Sequence, residues 1–155
     1  MDIDWLIALG ICAATAGVEA LCAGRDPMRR LRALKQPRWS PPNWAWVLIG
    51  LAWYGIAFTG LVRLLPFWPG SRAPVLLLVA LLLGNAAVNI PLFRTRQLGL
   101  ALACFIPYWL LLAAFLGAAC PLDSLTCALF LGYALYQIYA AAWGHALWRL
   151  NRARD

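Results

Sequence analysis

Charge is what this sequence has least of. Only 12% of its 155 residues are charged, while 64% are hydrophobic; an ordinary globular domain has about 25% charged and about 45–50% apolar residues. A small body leaves much of its surface exposed, so this much apolar side chain cannot be hidden inside it. The surrounding solvent must itself be apolar, which makes the chain an integral membrane protein and excludes a soluble domain. Catalytic signatures are also missing. There is no HExxH, no GxSxG and no phosphate-cradling glycine loop, and no Ser, Cys or Asp stands beside the single histidine, His145.

Cysteine is present but unpatterned. Cys12, Cys22, Cys104, Cys120 and Cys127 form no CxxC pair and lie in or at the ends of apolar runs, so neither a disulfide framework nor a metal site is expected. The first run opens on Asp2 and Asp4, without a basic leader or an A-x-A cleavage site, and is expected to be a retained helix. No tandem repeat or low-complexity tract appears, and one domain over 1–155 is expected. The formal net charge of +7 sits in short gaps between oily runs, with no pattern for reading nucleic acid, so that class of partner is rejected.

Five stretches are long and apolar enough to cross a bilayer core of about 30 Å, which takes roughly 20 residues. They run from about Trp5 to Cys22, Trp44 to Leu65, Val75 to Phe93, Leu98 to Ala119 and Leu125 to Trp148. The short separators PFWPGSRAP, RTRQ and CPLDS imply antiparallel neighbours in one bundle; the fold class is all-α, with a long first loop at about 24–43. Arg25, Arg29, Arg30, Arg32, Lys35, Arg38, Arg94, Arg96, Arg149, Arg152 and Arg154 fall on one side, and only Arg63 and Arg72 on the other. The basic side is cytoplasmic by the positive-inside rule. The expected topology has the N-terminus outside and the C-terminus in the cytoplasm, in a bacterial cell membrane.

The stretch KQPRWSPPNWAWVLIGLAWY, Lys35 to Tyr54, packs four tryptophans and three prolines into twenty residues. Pro37, Pro41 and Pro42 cannot continue a regular helix and stiffen the entry to the second span. Trp39, Trp44 and Trp46 then fall at interfacial depth, where indoles form aromatic belts. On a stiff frame such rings can equally roof a cavity, and a flat apolar ligand is the one that stacks on them.

Pro37, Trp39, Pro41, Pro42, Trp44 and Tyr54 make a PxWxPPxW motif with a tyrosine ten residues on. With Asn85 in the third span, Trp109 in the fourth, Leu122, Asp123 and Tyr133 at the fifth, and the closing Arg149, Leu150 and Asn151, the chain resembles the TspO/MBR family of tryptophan-rich sensory proteins, which includes the translocator protein. It departs from that pattern at Gly50 and Val88, where the family has tryptophan, and at Asn89 and Ile90 after it. Gly132, Tyr136, Trp143 and Gly144 also differ, as do Arg30 and Leu31 in the first loop. The scaffold motifs remain while cavity positions have changed, as in a divergent member.

The resemblance implies a five-helix membrane protein that holds a tetrapyrrole such as porphyrin or haem, a sterol or another lipid-like molecule. It would act as a sensor or transporter and would form a homodimer. The expected ligand contacts are Trp39 and Trp44 as lid, with Tyr54, Asn85, Asn89, Trp109 and Tyr136 as wall. Porphyrin or haem would be a ligand, and no metal site is expected. Two alternatives stand: an enzyme that modifies or degrades such a ligand, and an assembly subunit of a larger complex.

Glu19 is the one carboxylate inside an expected span, and intramembrane charge marks a functional site by default; near the helix end it can instead snorkel toward Arg25 or Arg29. His145 is a candidate haem ligand or proton carrier, or an interfacial hydrogen-bonding group. Glu19 and His145 could form a titrating pair only if the first and fifth spans were neighbours. Asn85 and Asn89 share a helical face and read as helix glue or ligand contacts. Gly84, Ala87 and Pro91 suggest a dimer face on the third span. Gly50, Gly55 and Gly60 suggest tight packing or room for a ligand, and Tyr133, Tyr136 and Tyr139 form a stripe of either kind.

Overall fold

The structure is a computed structural model that describes residues 3–95 and 97–152. Asp2, Arg96 and Arg154, used in the sequence reading above, lie outside those residues. Within them there are helices and no strand. Helix α1 (Ile3–Ala23) is followed by a short α2 (Pro27–Arg32) in the first loop. The remaining helices are α3 (Asn43–Leu64), α4 (Arg72–Asn89), the half-helices α5 (Leu98–Ala103) and α6 (Phe105–Ala119), and α7 (Ser124–Asn151). With their terminal turns they make five spans of 21, 25, 23, 22 and 28 residues. Each end agrees with the sequence expectation to within three residues.

Local chemistry sets the boundaries. Gly24, at φ +79°, ends α1 in the left-handed conformation that costs glycine least. Asp26 caps α2 by accepting from the Arg29 amide at 3.0 Å, with Pro27 in the first turn. Pro91 cannot donate to the helical ladder, and the third span widens into a π-turn over Ile90–Arg94. Asp123 caps α7, accepting from the Thr126 amide at 2.7 Å.

The spans close into a ring. Helix α1 lies against α3 and α4, α4 against α6, and α7 against α3, α5 and α6. The first and fifth spans therefore stand apart, and the conditional pairing of Glu19 with His145 fails. His145 is exposed beside Trp148, with ring centres 5.9 Å apart.

One half of the bundle is solid. Ala57, Leu61, Leu64, Leu78, Leu81, Phe115 and Phe130 are all fully buried there. Gly60 allows this: a Cβ on it would meet the Phe130 ring at 3.1 Å and Leu78 at 3.3 Å. Gly84 lies close to Tyr108 in the same way, at 3.3 Å, and Pro91 is buried. The small-residue face expected for a dimer is thus partly spent inside the chain.

At this solid end Arg63 grips Asp123 through two nitrogens, at 2.6–2.9 Å. The guanidinium holds the Asp123 carboxyl well below the usual carboxylate range. Beside it Cys120 and Cys127 are joined in a disulfide, with Cα atoms 4.6 Å apart. The expectation of no disulfide is corrected here. The CPLDS turn reverses the chain so tightly that the end of α6 meets the first turn of α7, a closeness that spacing alone did not reveal.

Candidate ligand chamber

The other half of the bundle is hollow. A cavity of about 260 Å³ opens between α3, α4, α5 and α7, reached by Glu19 of α1 and roofed by Met28 and Leu31 of α2. Its wall is mostly apolar and aromatic: Trp46, Trp53, Phe105, Tyr136 and Trp143 all face it. Polar groups are few, namely Glu19, Asn85, Asn89, Gln137 and the tyrosine hydroxyls. A small annex of about 50 Å³ shares Asn85, Phe105 and Gln137 with it and continues to Tyr108.

The first loop does form the roof, but through other residues than its exposed tryptophans. Leu31 is 3% exposed, wedged there by a set of hydrogen bonds to α7. Asn151, itself 1% exposed, accepts from the Lys35 amide and donates back to the Lys35 carbonyl, both at 3.0 Å. Trp143 donates its indole N–H to Ser40 at 2.7 Å, and Ser40 donates to Gln36 at 2.9 Å. Trp46 packs on Trp143 at 4.7 Å between ring centres. Arg30 donates to the Phe93 carbonyl and ties α2 to the end of the third span.

Of the seven residues expected at the ligand, Asn85, Asn89 and Tyr136 line the chamber. Trp39 is half exposed and leans edge-on against Tyr139 at 5.5 Å. Trp44 and Trp109 are exposed on the outside of the bundle, at 65% and 43%. Their placement follows from helical register: Trp46 and Tyr108 occupy the inward positions nearby, which turns Trp44 and Trp109 toward the bilayer. Tyr54 stands behind the wall and donates to Glu19 at 2.8 Å.

Glu19 does not snorkel to Arg25 or Arg29. Besides Tyr54 it receives only a long 3.5 Å contact from the Asn89 amide, which also donates to the Asn85 carbonyl at 3.1 Å. Tyr133, from the tyrosine stripe that the sequence left open between packing and cavity wall, lines the chamber, and Trp53 and Gln137, not anticipated there, complete the wall. Tyr133 stacks on Trp53 at 4.2 Å and shares a hydrogen bond of 2.7 Å with Tyr108, while Gln137 donates to Tyr133. A glutamine inside an apolar span was a readable signal, of the same kind as Asn85. The inward direction of Trp46, Trp53 and Trp143 had no such signal.

Among the described residues no group of three or more His, Cys, Asp or Glu could hold a metal.

A family model described as the TspO/MBR family matches residues 8–149. The chain belongs to the TspO/MBR family. A relative, the tryptophan-rich sensory protein of Cereibacter sphaeroides, is 26% identical over 151 residues, covering 97% of this chain and 95% of that protein. Membership agrees with a multi-pass membrane protein in a sensory or binding role. In this TspO/MBR member Gly50, Tyr136, Trp143 and Gly144, four of the positions that depart from the family pattern, all border the chamber.

Proposed function

We propose that the protein is a membrane sensor that takes a flat hydrophobic molecule from the bilayer into the chamber beneath the first loop, and that loop movement reports or transfers it. The chamber itself carries this reading: an apolar, aromatic-walled hollow with a handful of polar groups is the usual form of a small-molecule site. Its volume falls just under the range of about 300–1,000 Å³ common for such sites, which favours a compact fused-ring or sterol-like ligand. A tetrapyrrole would require the roof to lift. The Cys120–Cys127 bridge supports an outward-facing solid end, because disulfides persist in oxidising compartments; the first loop and C-terminus then face the cytoplasm.

Titrating the purified protein with neutral acridine, a flat three-ring probe, tests the proposal. Saturable quenching of tryptophan fluorescence is expected, through Trp46, Trp53 and Trp143. Trp39→Ala and Trp44→Ala, both off the chamber, should leave the affinity within about twofold, whereas Trp46→Ala should weaken it. Quenching that never saturates sinks the idea. The enzyme reading gains one observation, the exposure of Glu19 to the chamber. Consumption of a bound pigment, followed by its absorbance, separates the two.

A further inference from the structure

We propose that the chamber selects ligands bearing a protonated amine, which Glu19 receives, and turns away those bearing a carboxylate. This rests on the chamber being the ligand site.

A carboxylate offers about four lone-pair positions. Glu19 has two of them engaged, both by neutral donors and one only at 3.5 Å. Ionisable groups inside a membrane face the bundle interior and pair with one another or with backbone groups, and among the described residues lining the cavity there is no Lys, Arg or His. The one salt bridge found among the described residues, Arg63–Asp123, lies at the solid end. Arg30 reaches the roof but gives its guanidinium to the Phe93 carbonyl. The acceptor positions left open on Glu19 are ones that a ligand's cation can fill.

The aromatic wall points the same way. Trp46, Trp53, Tyr136 and Trp143 border the same hollow, and the negative faces of aromatic rings attract ammonium groups. One acid and several aromatic faces, with no base among the described lining residues and Arg30 held at the Phe93 carbonyl, make surroundings for a cation. An anionic head would meet Glu19 without compensation.

Three acridines of similar shape provide the test at neutral pH: 9-(aminomethyl)acridine as cation, acridine as neutral body and acridine-9-carboxylate as anion. Each is titrated into the purified protein in dodecyl maltoside and read by fluorescence quenching. Wild type should bind the amine more tightly than acridine by on the order of 10- to 100-fold, as for a charge-assisted hydrogen bond, and the carboxylate most weakly. In Glu19→Gln the amine-to-neutral ratio should fall toward one. Equal affinity for all three leaves the chamber standing and overturns the selection of an amine. So does an amine preference that survives Glu19→Gln. No saturable binding by any of the three overturns the chamber and this inference together. If Glu19→Gln does not fold, the order of affinities in wild type decides alone.

Discussion

Replacing Gly50 by leucine fills the chamber from its own wall. Gly50 lies one helical turn past Trp46 on α3 and borders the hollow, and a Cβ built there meets nothing within 4 Å. Lipid tails are as apolar as leucine, so the gain is the packing recovered by filling the void, at roughly 24 cal/mol per Å³ about 2 kcal/mol for a leucine side chain. Lost rotamer freedom removes about 0.5–1 kcal/mol, and relieving glycine's backbone entropy in a helix returns about as much. The empty protein should therefore be stabilised by roughly 2 kcal/mol, which at about 2–4 °C per kcal/mol for a chain of this size raises the melting temperature by about 5 °C. The ligand suffers in proportion. Four side-chain carbons displace contacts worth about 3 kcal/mol, or roughly a hundredfold in Kd. Thermal melting in detergent and acridine titration on the same preparation measure both. A more stable variant that still binds acridine as wild type does would put the ligand elsewhere. A less stable variant with intact binding would mean that no void lies in front of Gly50.

Asn151→Ala should unhook the first loop, since it removes both hydrogen bonds to Lys35 at a cost of about 1–3 kcal/mol. Trypsin cleavage after Lys35 and Arg38 should accelerate, and an unchanged rate would refute the tether. Asp123 has a lowered folded-state pKa, so its contribution to stability is present above the ordinary carboxylate value of about 4 and is lost as pH falls below it. Melting of the wild type should therefore decline under acid, while Asp123→Asn starts lower and changes less. A variant retaining only Cys120 and Cys127, in sealed right-side-out vesicles, should react with an impermeant maleimide only after reduction. Labelling from the opposite side would invert the topology.

The spans were legible because hydropathy is local: a run such as Leu98 to Ala119 needs no neighbour to be recognised. Facing was not legible. Bilayer and bundle core are both apolar, so nothing in the sequence marked Trp44 and Trp109 as outward or Trp53 and Trp143 as inward. Only polar residues break that symmetry, which is why Asn85 and Asn89 could be placed from their spacing and Gln137 could have been. The disulfide stayed hidden for another reason. Cys120 and Cys127 are seven apart across a turn, and their approach depends on how sharply Pro121 to Asp123 fold back.

Helix α7 is held differently at its two ends. Its first turn is fixed by a covalent bridge and by the Arg63–Asp123 grip, whereas its last turn is joined by Asn151 to the loop above the hollow. Twenty-eight residues make it about 42 Å long. A rod anchored at one tip behaves as a lever, so a small tilt at the fulcrum becomes a wide sweep at the free tip. On the proposed function, a ligand that lifted the loop would swing that tip as well, so that filling the hollow would be felt at the far end of the longest helix.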